Sequence, residues 1–323
     1  MTESSQALRV SVVIPAYNAA RFLPSAVASL RAQSRAVDEI IVVDDGSRDD
    51  TRQVVAGLGA DIVYVHQENA GVSAARNRGI ARATGELVGF LDADDFWMPE
   101  KVERQVAVFR RHPDVALVAS DRCDVDDQGR ILLDSLFRRQ NLAKLFQDLD
   151  GTPLPHALGR LVRTNFLPTS SVMVRKAALA EVGVFETSLR FGEDLDLWAR
   201  IAARYGVVCL PQVLVRYRLH DSNATLQTEQ LFKDVVKVMQ RIRDWGRPAL
   251  ASQGLDADAL VANAWWELGY WYFQSEHPGR ARGPMWASLR EKASVRALKY
   301  AVLSLLPGVS ITALRGLKQR MTG

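Results

Sequence analysis

The stretch GELVGFLDADDFW, residues 85–97, joins a short apolar run to a group of acidic side chains. The run at 87–91 predicts a buried strand, and Asp92, Asp94 and Asp95 follow where it ends. Carboxylates crowded this closely repel one another and are costly to desolvate, so they need water or a cation around them. Ligands of open α/β sheets bind beyond the carboxyl ends of the strands, which indicates a divalent metal with a charged substrate. The alternative is a solvated acidic turn that caps the next helix.

Length and composition describe an ordinary globular protein of one large domain or two smaller ones. The 323 residues are 48% hydrophobic and 24% charged, which is enough for a sizeable core. Cys123 and Cys209 are far apart and lack the spacing of a disulfide framework or metal site, which favours a reducing compartment. The N-terminus lacks the pattern of a signal peptide, and no apolar run of about 18 residues occurs, so we expect a cytoplasmic protein.

Positive charge is concentrated in the last third of the chain. Residues 225–323 carry 14 Lys and Arg against 8 Asp and Glu, whereas residues 1–224 are nearly neutral. The larger part of the chain is therefore not a polycation, which argues against nucleic acid as a partner.

The first hundred residues alternate between strand and helix patterns. Apolar, β-branched strand patterns occupy residues 10–14, 40–43, 62–65 and 87–91, with helical spacing between them. Parallel crossovers of this kind bring all four carboxyl ends to one edge of a sheet. We therefore expect Asp45, the turn at residues 15–18 and Arg76 to lie beside the acidic group.

Such an edge suits a diphosphate. Carboxylates can hold a metal that bridges phosphate oxygens, while an arginine and the amides of a helix start receive the remaining charge. The chain has no GxxxxGK[ST] loop, which argues against a P-loop NTPase. No GxGxxG follows the first strand, which argues against a dinucleotide-binding domain.

The middle of the chain is less regular. Residues 131–165 have weak periodicity and predict a long loop, either over a bound substrate or as a surface excursion. Glu193 and Asp194 stand where helical spacing begins, a position that helix capping would also explain. His220 follows two short strand patterns, at 207–210 and 213–217, and a single loop histidine is ordinarily a surface residue.

Beyond residue 225 the pattern is helical. Residues 265–272 fit the W-x2-L-G-x2-Y start of a tetratricopeptide unit, but one unit cannot bury its own face. We therefore predict a helical pair packed on the first domain. Residues 295–319 form a basic amphipathic tail, which either lies on an anionic membrane face or packs on the domain or on another subunit.

Five motifs resemble those of the inverting family 2 glycosyltransferases with the GT-A fold, in the family's own order: VSVVIPAYN, VVDDGSRDDT, ENAGVSAARNRGI, GELVGFLDADDFW and FGEDLDLWARIA. The resemblance covers roughly residues 8–222. It implies an α/β fold with a mostly parallel central sheet flanked by helices over residues 1–224. The helical pattern beyond residue 225 adds a C-terminal helical extension at 225–323.

The same resemblance implies which residues bind the nucleotide sugar. Pro15, Tyr17 and Asp45 fall where the family grips the base and ribose, and Asn18 belongs to the same motif. Arg76 falls in the segment that lies near the base and phosphates.

The metal site is also implied by the resemblance. Asp92-Ala93-Asp94 matches the family's DXD motif, in which the first carboxylate faces the ribose and the second binds Mn²⁺ or Mg²⁺. An alignment shifted by one residue gives the metal to Asp95, so both assignments stay open. His220 lies in the family's YRxH pattern, where the histidine completes the metal shell or contacts the diphosphate.

Glu193 and Asp194 match the family's ED motif, with Glu193 among the donor-binding residues and Asp194 as the catalytic base. The resemblance implies an inverting transfer from a nucleoside-diphosphate sugar, with UDP as the first expectation, to a hydroxyl of a glycan or lipid-linked acceptor. Such acceptors belong to envelope polysaccharide synthesis at the inner face of a membrane. Two other classes stay open: a non-catalytic sugar- or nucleotide-binding module of the same fold, and a glycoside hydrolase that uses paired carboxylates.

Overall fold

The structure is a computed structural model, and it describes residues 8–220, 228–275 and 277–305. The chain folds as two compact units, Met1–Ala224 and Thr225–Gly323. The first unit is an α/β structure, and the second is helical in its described residues.

One sheet forms the centre of the first unit. Its strands are β1 (Val10–Ala16), β2 (Glu39–Asp44), β3 (Ile62–His66), β4 (Leu87–Phe90), β5 (Phe96–Trp97), β6 (Val115–Val125), β7 (Ile131–Leu133), β8 (Met173–Arg175) and β9 (Gly206–Arg218). Within the described residues they follow the order β3-β2-β1-β4-β8-β6-β9-β5, and β7 pairs with β6. The sheet is parallel from β3 through β4, and β8 then runs antiparallel to both β4 and β6.

Helices connect these strands. They are α1 (Leu23–Arg31), α2 (Thr51–Leu58), α3 (Val72–Arg82), α4 (Lys101–Arg111), α5 (Leu136–Arg139), α6 (Ala143–Leu149), α7 (Ala157–Leu161), α8 (Lys176–Val182) and α9 (Glu193–Ala202). All seven residues of β1 are buried, as expected for a central parallel strand covered on both faces. The four strands predicted at the start of the chain are confirmed, and their carboxyl ends meet at one edge of the sheet.

The packing of α3 on β1 depends on a glycine. A Cβ atom at Gly79 would lie 2.3 Å from Cγ1 of Val13, which is closer than carbon atoms can approach. Helix α3 therefore lies against the strand at a short distance. This contact positions Arg76, one turn earlier on α3, beside the ends of the central strands.

The predicted long loop at residues 131–165 is wrong. The segment forms β7 and the short helices α5, α6 and α7. Phe137 and Phe146 are fully buried, with ring centroids 4.5 Å apart, and Phe166 packs 5.7 Å from Phe146. These elements are too short for their apolar residues to show a helical or strand period. Burial of aromatic side chains that are scattered along the segment stabilises them instead.

The two strand patterns at 207–210 and 213–217 belong to one strand, β9. Its pairing with β6 shifts between Leu210 and Val213, so Pro211 lies at an irregularity in the ladder. Proline has no amide hydrogen to donate, and a bulge of this kind accommodates it. The strand then continues to Arg218, close to the edge where β4 ends.

The second unit contains α10 (Glu229–Ala251), α11 (Ala257–Gln274), α12 (Pro278–Glu291) and α13 (Val295–Leu303). Gly269 of the tetratricopeptide-like motif allows α11 and α12 to approach, since a Cβ there would lie 2.7 Å from Cε of Met285. The predicted amphipathic tail begins in α13, and its residues 306–319 lie outside the described part. In the described ranges, no helix is long and apolar enough to cross a membrane.

Candidate functional site

Arg76 connects the end of β4 to the start of α9. Its Nη2 donates to Oδ1 of Asp92 at 2.7 Å, and its Nη1 donates to Oε1 of Glu193 at 2.8 Å. Only 4% of Arg76 is exposed, so both ion pairs form with little water around the guanidinium. Two acidic motifs that are far apart in the sequence therefore meet at one arginine.

The environment of Glu193 is unfavourable for a negative charge. Burial raises the pKa of Glu193 to about 7, and the neighbouring charge of Asp194 acts in the same direction. Arg76 opposes this rise through its charge and its hydrogen bond. The arginine is thus the main group that stabilises the negative charge of Glu193.

Asp95 is a structural member of the acidic group. Its Oδ2 accepts from the Ser170 hydroxyl at 2.6 Å, its Oδ1 accepts from the backbone N–H of Arg218 at 3.0 Å, and the residue is fully buried. Burial raises the pKa of Asp95 well above its ordinary value, and the charges of Asp94 and Asp92 add to the rise. These contacts join the end of β4 to the end of β9.

Asp94 contacts His220 directly. Oδ2 of Asp94 lies 2.9 Å from Nε2 of His220, and 25% of the Asp94 side chain is exposed. The imidazole stacks on the ring of Phe22, with centroids 4.7 Å apart and planes at 21°. Nε of Arg218 donates to the Asp94 carbonyl at 3.1 Å. Phe22 and Arg218 support this pair, and the sequence analysis missed both of them, although Arg218 stands inside the YRxH pattern.

The carboxylate of Asp94 carries an unfavourable charge. Burial raises the pKa of Asp94, and the charge of Asp92 raises it further, while His220 lowers it. A cation beside Asp94 would relieve this repulsion. Among the described residues no group of three His, Cys, Asp or Glu side chains forms a metal site. Asp94 and His220 together offer a cation one carboxylate oxygen and one imidazole nitrogen, so its other ligands would have to come from substrate or water.

Asp194 is the second residue of α9 and is half-buried. Its Oδ1 accepts from the backbone N–H of Leu195 at 2.6 Å, and its Oδ2 accepts from Nδ2 of Asn165 at 3.1 Å. Burial raises the pKa of Asp194, while Asn165, Leu195 and Arg76 act against the rise. Asn165 is another residue that the sequence analysis missed, because it lies in the segment that was predicted to be a loop.

The end of β1 forms a turn against the loop after β2. Pro15 is buried in β1, whereas 48% of Tyr17 is exposed. Asn18 has a φ of 50° and links the two segments. Its Oδ1 accepts from the backbone N–H of Arg48 at 2.8 Å, and its own N–H donates to the Ser47 hydroxyl at 2.9 Å.

Asp45 holds the segment that leads into α3. Its Oδ1 accepts from Nε2 of Gln67 at 2.7 Å and from the N–H of Ala70 at 2.8 Å. Its Oδ2 accepts from the N–H of Gly71 at 2.8 Å. The predicted neighbours Asp45 and Arg76 are therefore linked through the start of α3, which also carries Arg76.

Sequence comparisons agree with these motifs. The family described as Glycosyl transferase family 2 matches residues 11–169. Succinoglycan biosynthesis protein ExoU of Rhizobium meliloti is 32% identical over 264 residues, which cover 78% of this chain and 72% of that protein. The chain spans between 30% and 68% of the length of the uncharacterized Rickettsia glycosyltransferases that it also matches.

Solved structures show the same fold. TarS of S. aureus in complex with UDP-GlcNAc has a TM-score of 0.59 at 17% identity, covering 91% of this chain and 89% of that one. The mannosyltransferase PcManGT from Pyrobaculum calidifontis, in complex with GDP-Man and Mn²⁺, has a TM-score of 0.59 at 19% identity and covers 94% and 82%. The predicted α/β GT-A fold is confirmed. The family match over residues 11–169 and the 32% identity to ExoU establish that the chain belongs to glycosyltransferase family 2.

Proposed function

We propose that this chain is an inverting, metal-dependent transferase that moves a sugar from a nucleoside-diphosphate sugar to an acceptor hydroxyl. The observation that carries the proposal is the double ion pair of Arg76, which joins Asp92 to Glu193. Asp94 lies two residues after Asp92, and Asp194 directly follows Glu193. The contact through Arg76 therefore favours one shared site for Asp94 and Asp194.

In the proposed reaction, Asp194 is the general base. It takes the proton of the acceptor hydroxyl while that oxygen forms a bond to the anomeric carbon of the donor. The bond from this carbon to the diphosphate oxygen breaks, and its electron pair leaves with the nucleoside diphosphate. Attack from the face opposite the leaving group inverts the anomeric centre. A raised pKa strengthens Asp194 as a base, while the hydrogen bonds from Asn165 and Leu195 favour the ionised form of the carboxylate.

We assign the metal to Asp94 and His220 rather than to Asp95. Both oxygens of Asp95 accept hydrogen bonds within the core, whereas Asp94 is partly exposed beside His220. An imidazole nitrogen is a poorer ligand for Mg²⁺ than for a first-row transition metal, which favours Mn²⁺. When bound, such an ion would stabilise negative charge on the departing diphosphate. The Mn²⁺ in the PcManGT complex supports this choice.

The donor is proposed to be a UDP-sugar, and Tyr17, Asn18, Pro15 and Asp45 are proposed to form the base and ribose side of its site. The complexes of TarS with UDP-GlcNAc and of PcManGT with GDP-Man support a nucleoside-diphosphate sugar. ExoU is named for succinoglycan biosynthesis and AmsE of Erwinia amylovora for amylovoran biosynthesis. These names support a role in polysaccharide synthesis, for which we propose a glycan or lipid-linked acceptor.

The experiment combines a donor screen with product stereochemistry. Release of nucleoside diphosphate is measured from UDP-, dTDP- and GDP-sugars with Mn²⁺, Mg²⁺ or chelator, using p-nitrophenyl glycosides as acceptors. We expect turnover with one donor class, loss of turnover in chelator, and a product whose anomeric configuration by ¹H NMR is opposite to that of the donor. Binding of donors without any turnover would support a non-catalytic module, and cleavage of glycosides without nucleotide would support a hydrolase.

We also infer a peripheral contact with the cytoplasmic face of a membrane. Helix α13, together with Leu305 just after it, exposes one apolar row, formed by Val295, Leu298, Val302 and Leu305. Arg296 and Lys299 are exposed on the same helix, which has no acidic residue. An apolar row with neighbouring cations is the composition that binds anionic lipid surfaces.

A further inference from the structure

We propose that Asn165 is a positioning residue that fixes the orientation and the charge state of Asp194. The inference rests on the proposed function, because it takes Asp194 as the base. Nδ2 of Asn165 donates to Oδ2 of Asp194 at 3.1 Å. The contact joins the segment after α7 to the start of α9, so a residue outside the family's recognisable motifs reaches the proposed base.

The amide of Asn165 has a defined orientation. Its Oδ1 accepts from the backbone N–H of Leu167 at 3.3 Å, which leaves the NH₂ group facing the carboxylate. A flipped amide would place its oxygen against Oδ2 of Asp194, where two acceptors would face each other. Its NH₂ group would then face the backbone N–H of Leu167, which is also a donor. Both contacts would be lost in the flipped state. The asparagine is therefore set to donate to Asp194.

The carboxylate receives one donor on each oxygen. Leu195 donates to Oδ1 from the backbone, and Asn165 donates to Oδ2 from its side chain. Two donors on two oxygens restrict rotation about the bond that carries the carboxylate. A carboxylate oxygen accepts more than one hydrogen bond, so capacity remains for an acceptor hydroxyl. Within the described part of the chain, loss of Asn165 would leave the bond from Leu195 as the one hydrogen bond that orients the carboxylate.

The charges around Asp194 explain why an uncharged hydrogen-bond donor is useful beside its carboxylate. Arg76 stabilises the ionised form of Asp194, whereas Asp92 and Glu193 bring negative charge to the same place. A hydrogen bond to the ionised carboxylate favours its charged form without adding a cation that would attract the donor phosphates. Asn165 thus opposes the effect of burial on the pKa of Asp194.

Five other ionisable side chains on α9 and the neighbouring elements have partners elsewhere among the described residues. Their contacts are Arg160 with the carbonyl of Pro155 (α7), Lys176 with the carbonyl of Ala83 (α8), Asp121 with Ser135 (β6), and Arg218 with Asp94 and Ser25 (β9). On α9 itself, Arg200 pairs with Asp196. The charges that act on the pKa of Asp194 include Arg76, which lowers it, and Asp92, which raises it, while Glu193 lies beside it and Asn165 donates to it.

Asn165 is exposed, but the segment that carries it is anchored. Phe166 is 1% exposed and Leu167 is fully buried, so the backbone at this position is fixed by its neighbours. An exposed polar side chain contributes little to the core, and its replacement should leave the fold intact. This separates an effect on Asp194 from an effect on folding.

The test compares Asn165→Leu and Asn165→Asp with wild type, using the donor, metal and glycoside acceptor that give the highest turnover. Asn165→Leu removes the hydrogen-bond donor and keeps a side chain of similar volume. Asn165→Asp keeps the oxygen that accepts from Leu167 but places a second carboxylate beside Asp194. The matched control is Thr164→Ala, an exposed neighbour in the same segment. Thermal unfolding of each variant checks the fold.

We expect kcat to fall about tenfold in Asn165→Leu and further in Asn165→Asp, since a hydrogen bond to a charged group is lost. The KM and Kd of the nucleotide sugar should stay within about twofold of wild type. The acid limb of the pH profile of kcat/KM should move to higher pH in both variants, because the ionised base is less stabilised. Thr164→Ala should resemble wild type in all of these measurements.

Unchanged kcat and an unchanged pH profile in both Asn165 variants would overturn the inference. A raised KM for the acceptor with an unmoved pH profile would also overturn it, since that result assigns Asn165 to acceptor binding. The proposed function has its own test. Full turnover in Asp194→Asn would remove the base assignment, whereas an inactive Asp194→Asn beside normal Asn165 variants would remove only this inference.

Discussion

Nη1 of Arg76 lies 2.8 Å from Oε1 of Glu193, so α3 is tied to the first residue of α9 by a buried ion pair. The same guanidinium binds Asp92 at the end of β4. From its place in the sequence, Arg76 is expected to offset phosphate charge. In the structure, its charge is already opposed by two carboxylates, which makes it a connector of the two acidic motifs.

Replacement of Arg76 by methionine should destabilise the protein strongly. Glu193 would remain buried without its cation, and breaking a buried pair from one side costs about 3–5 kcal/mol. Urea unfolding near neutral pH measures this loss. Arg21→Met is the matched control, because its ion pair with Asp127 is more exposed and should contribute less than about 1 kcal/mol. Equal stability of the two variants would contradict the connector role.

Asp94 and Asp95 should respond in opposite ways to substitution by alanine. Asp94→Ala should abolish Mn²⁺-dependent binding of nucleoside diphosphate, measured by calorimetry, with little loss of stability. Asp95→Ala should leave the backbone N–H of Arg218 without its acceptor and lower the free energy of unfolding by about 1–3 kcal/mol.

Mn²⁺-dependent binding should survive in Asp95→Ala wherever the variant is folded. Retained metal dependence in Asp94→Ala, with loss in folded Asp95→Ala, would reverse the ligand assignment.

Lys101 predicts a pH dependence of stability. Its Nζ donates to Oε1 of Gln105 at 2.7 Å and lies 3.8 Å from the ring centroid of Trp97, and the residue is fully buried. Burial lowers the pKa of Lys101 well below its ordinary value. Between that lowered pKa and the unfolded value of about 10.4, the unfolded chain binds more protons than the folded one. The contribution of Lys101 to stability therefore increases as pH rises through this window.

Lys101→Met should remove this pH-dependent increase. Unfolding by urea at several pH values between 7 and 10 compares the variant with wild type, and the wild type should gain stability relative to the variant as pH rises. Lys144→Met is the control, because 86% of that side chain is exposed. A constant difference between wild type and Lys101→Met across the range would show that Lys101 titrates normally.

The apolar row of α13 predicts binding to anionic vesicles. Leu298→Asp combined with Val302→Asp should lower the partition coefficient by about tenfold or more, because each apolar side chain loses its burial in lipid. Co-sedimentation with phosphatidylglycerol vesicles measures this loss. Leu132→Asp alters an exposed apolar residue of the first unit and should have no effect. The result that would contradict this prediction is a wild-type protein that does not bind vesicles but forms a dimer, which the two substitutions dissociate. That result would indicate a contact between subunits.

The edge of the sheet could be predicted because its strands have strong local patterns. Buried parallel strands give continuous apolar runs, and alternation with helices determines which ends meet. This reasoning places Asp45, Arg76 and Asp92 near one another. The resemblance to the family adds the match of Glu193 and Asp194 to the ED motif.

The supporting contacts could not be predicted, because each joins residues that are distant in sequence. Asn165 reaches Asp194 only after α5, α6 and α7 fold around buried phenylalanines that follow no period. The rings of Phe22 and His220 stack, although the two residues lie near opposite ends of the first unit in sequence. The separate environments of Asp94 and Asp95 likewise depend on Ser170 and β9, which no local pattern connects with the DXD motif.

The assignment of Asp194 is tested most directly by comparing Asp194→Asn with wild type in one experiment that records both donor binding and turnover. We expect the Kd of the nucleotide sugar with Mn²⁺ to stay within about twofold, because the amide keeps the shape of the side chain. We expect release of nucleoside diphosphate to fall by about 10²–10⁴-fold, since the acceptor hydroxyl loses its base. Turnover at the wild-type rate in Asp194→Asn would contradict the assignment.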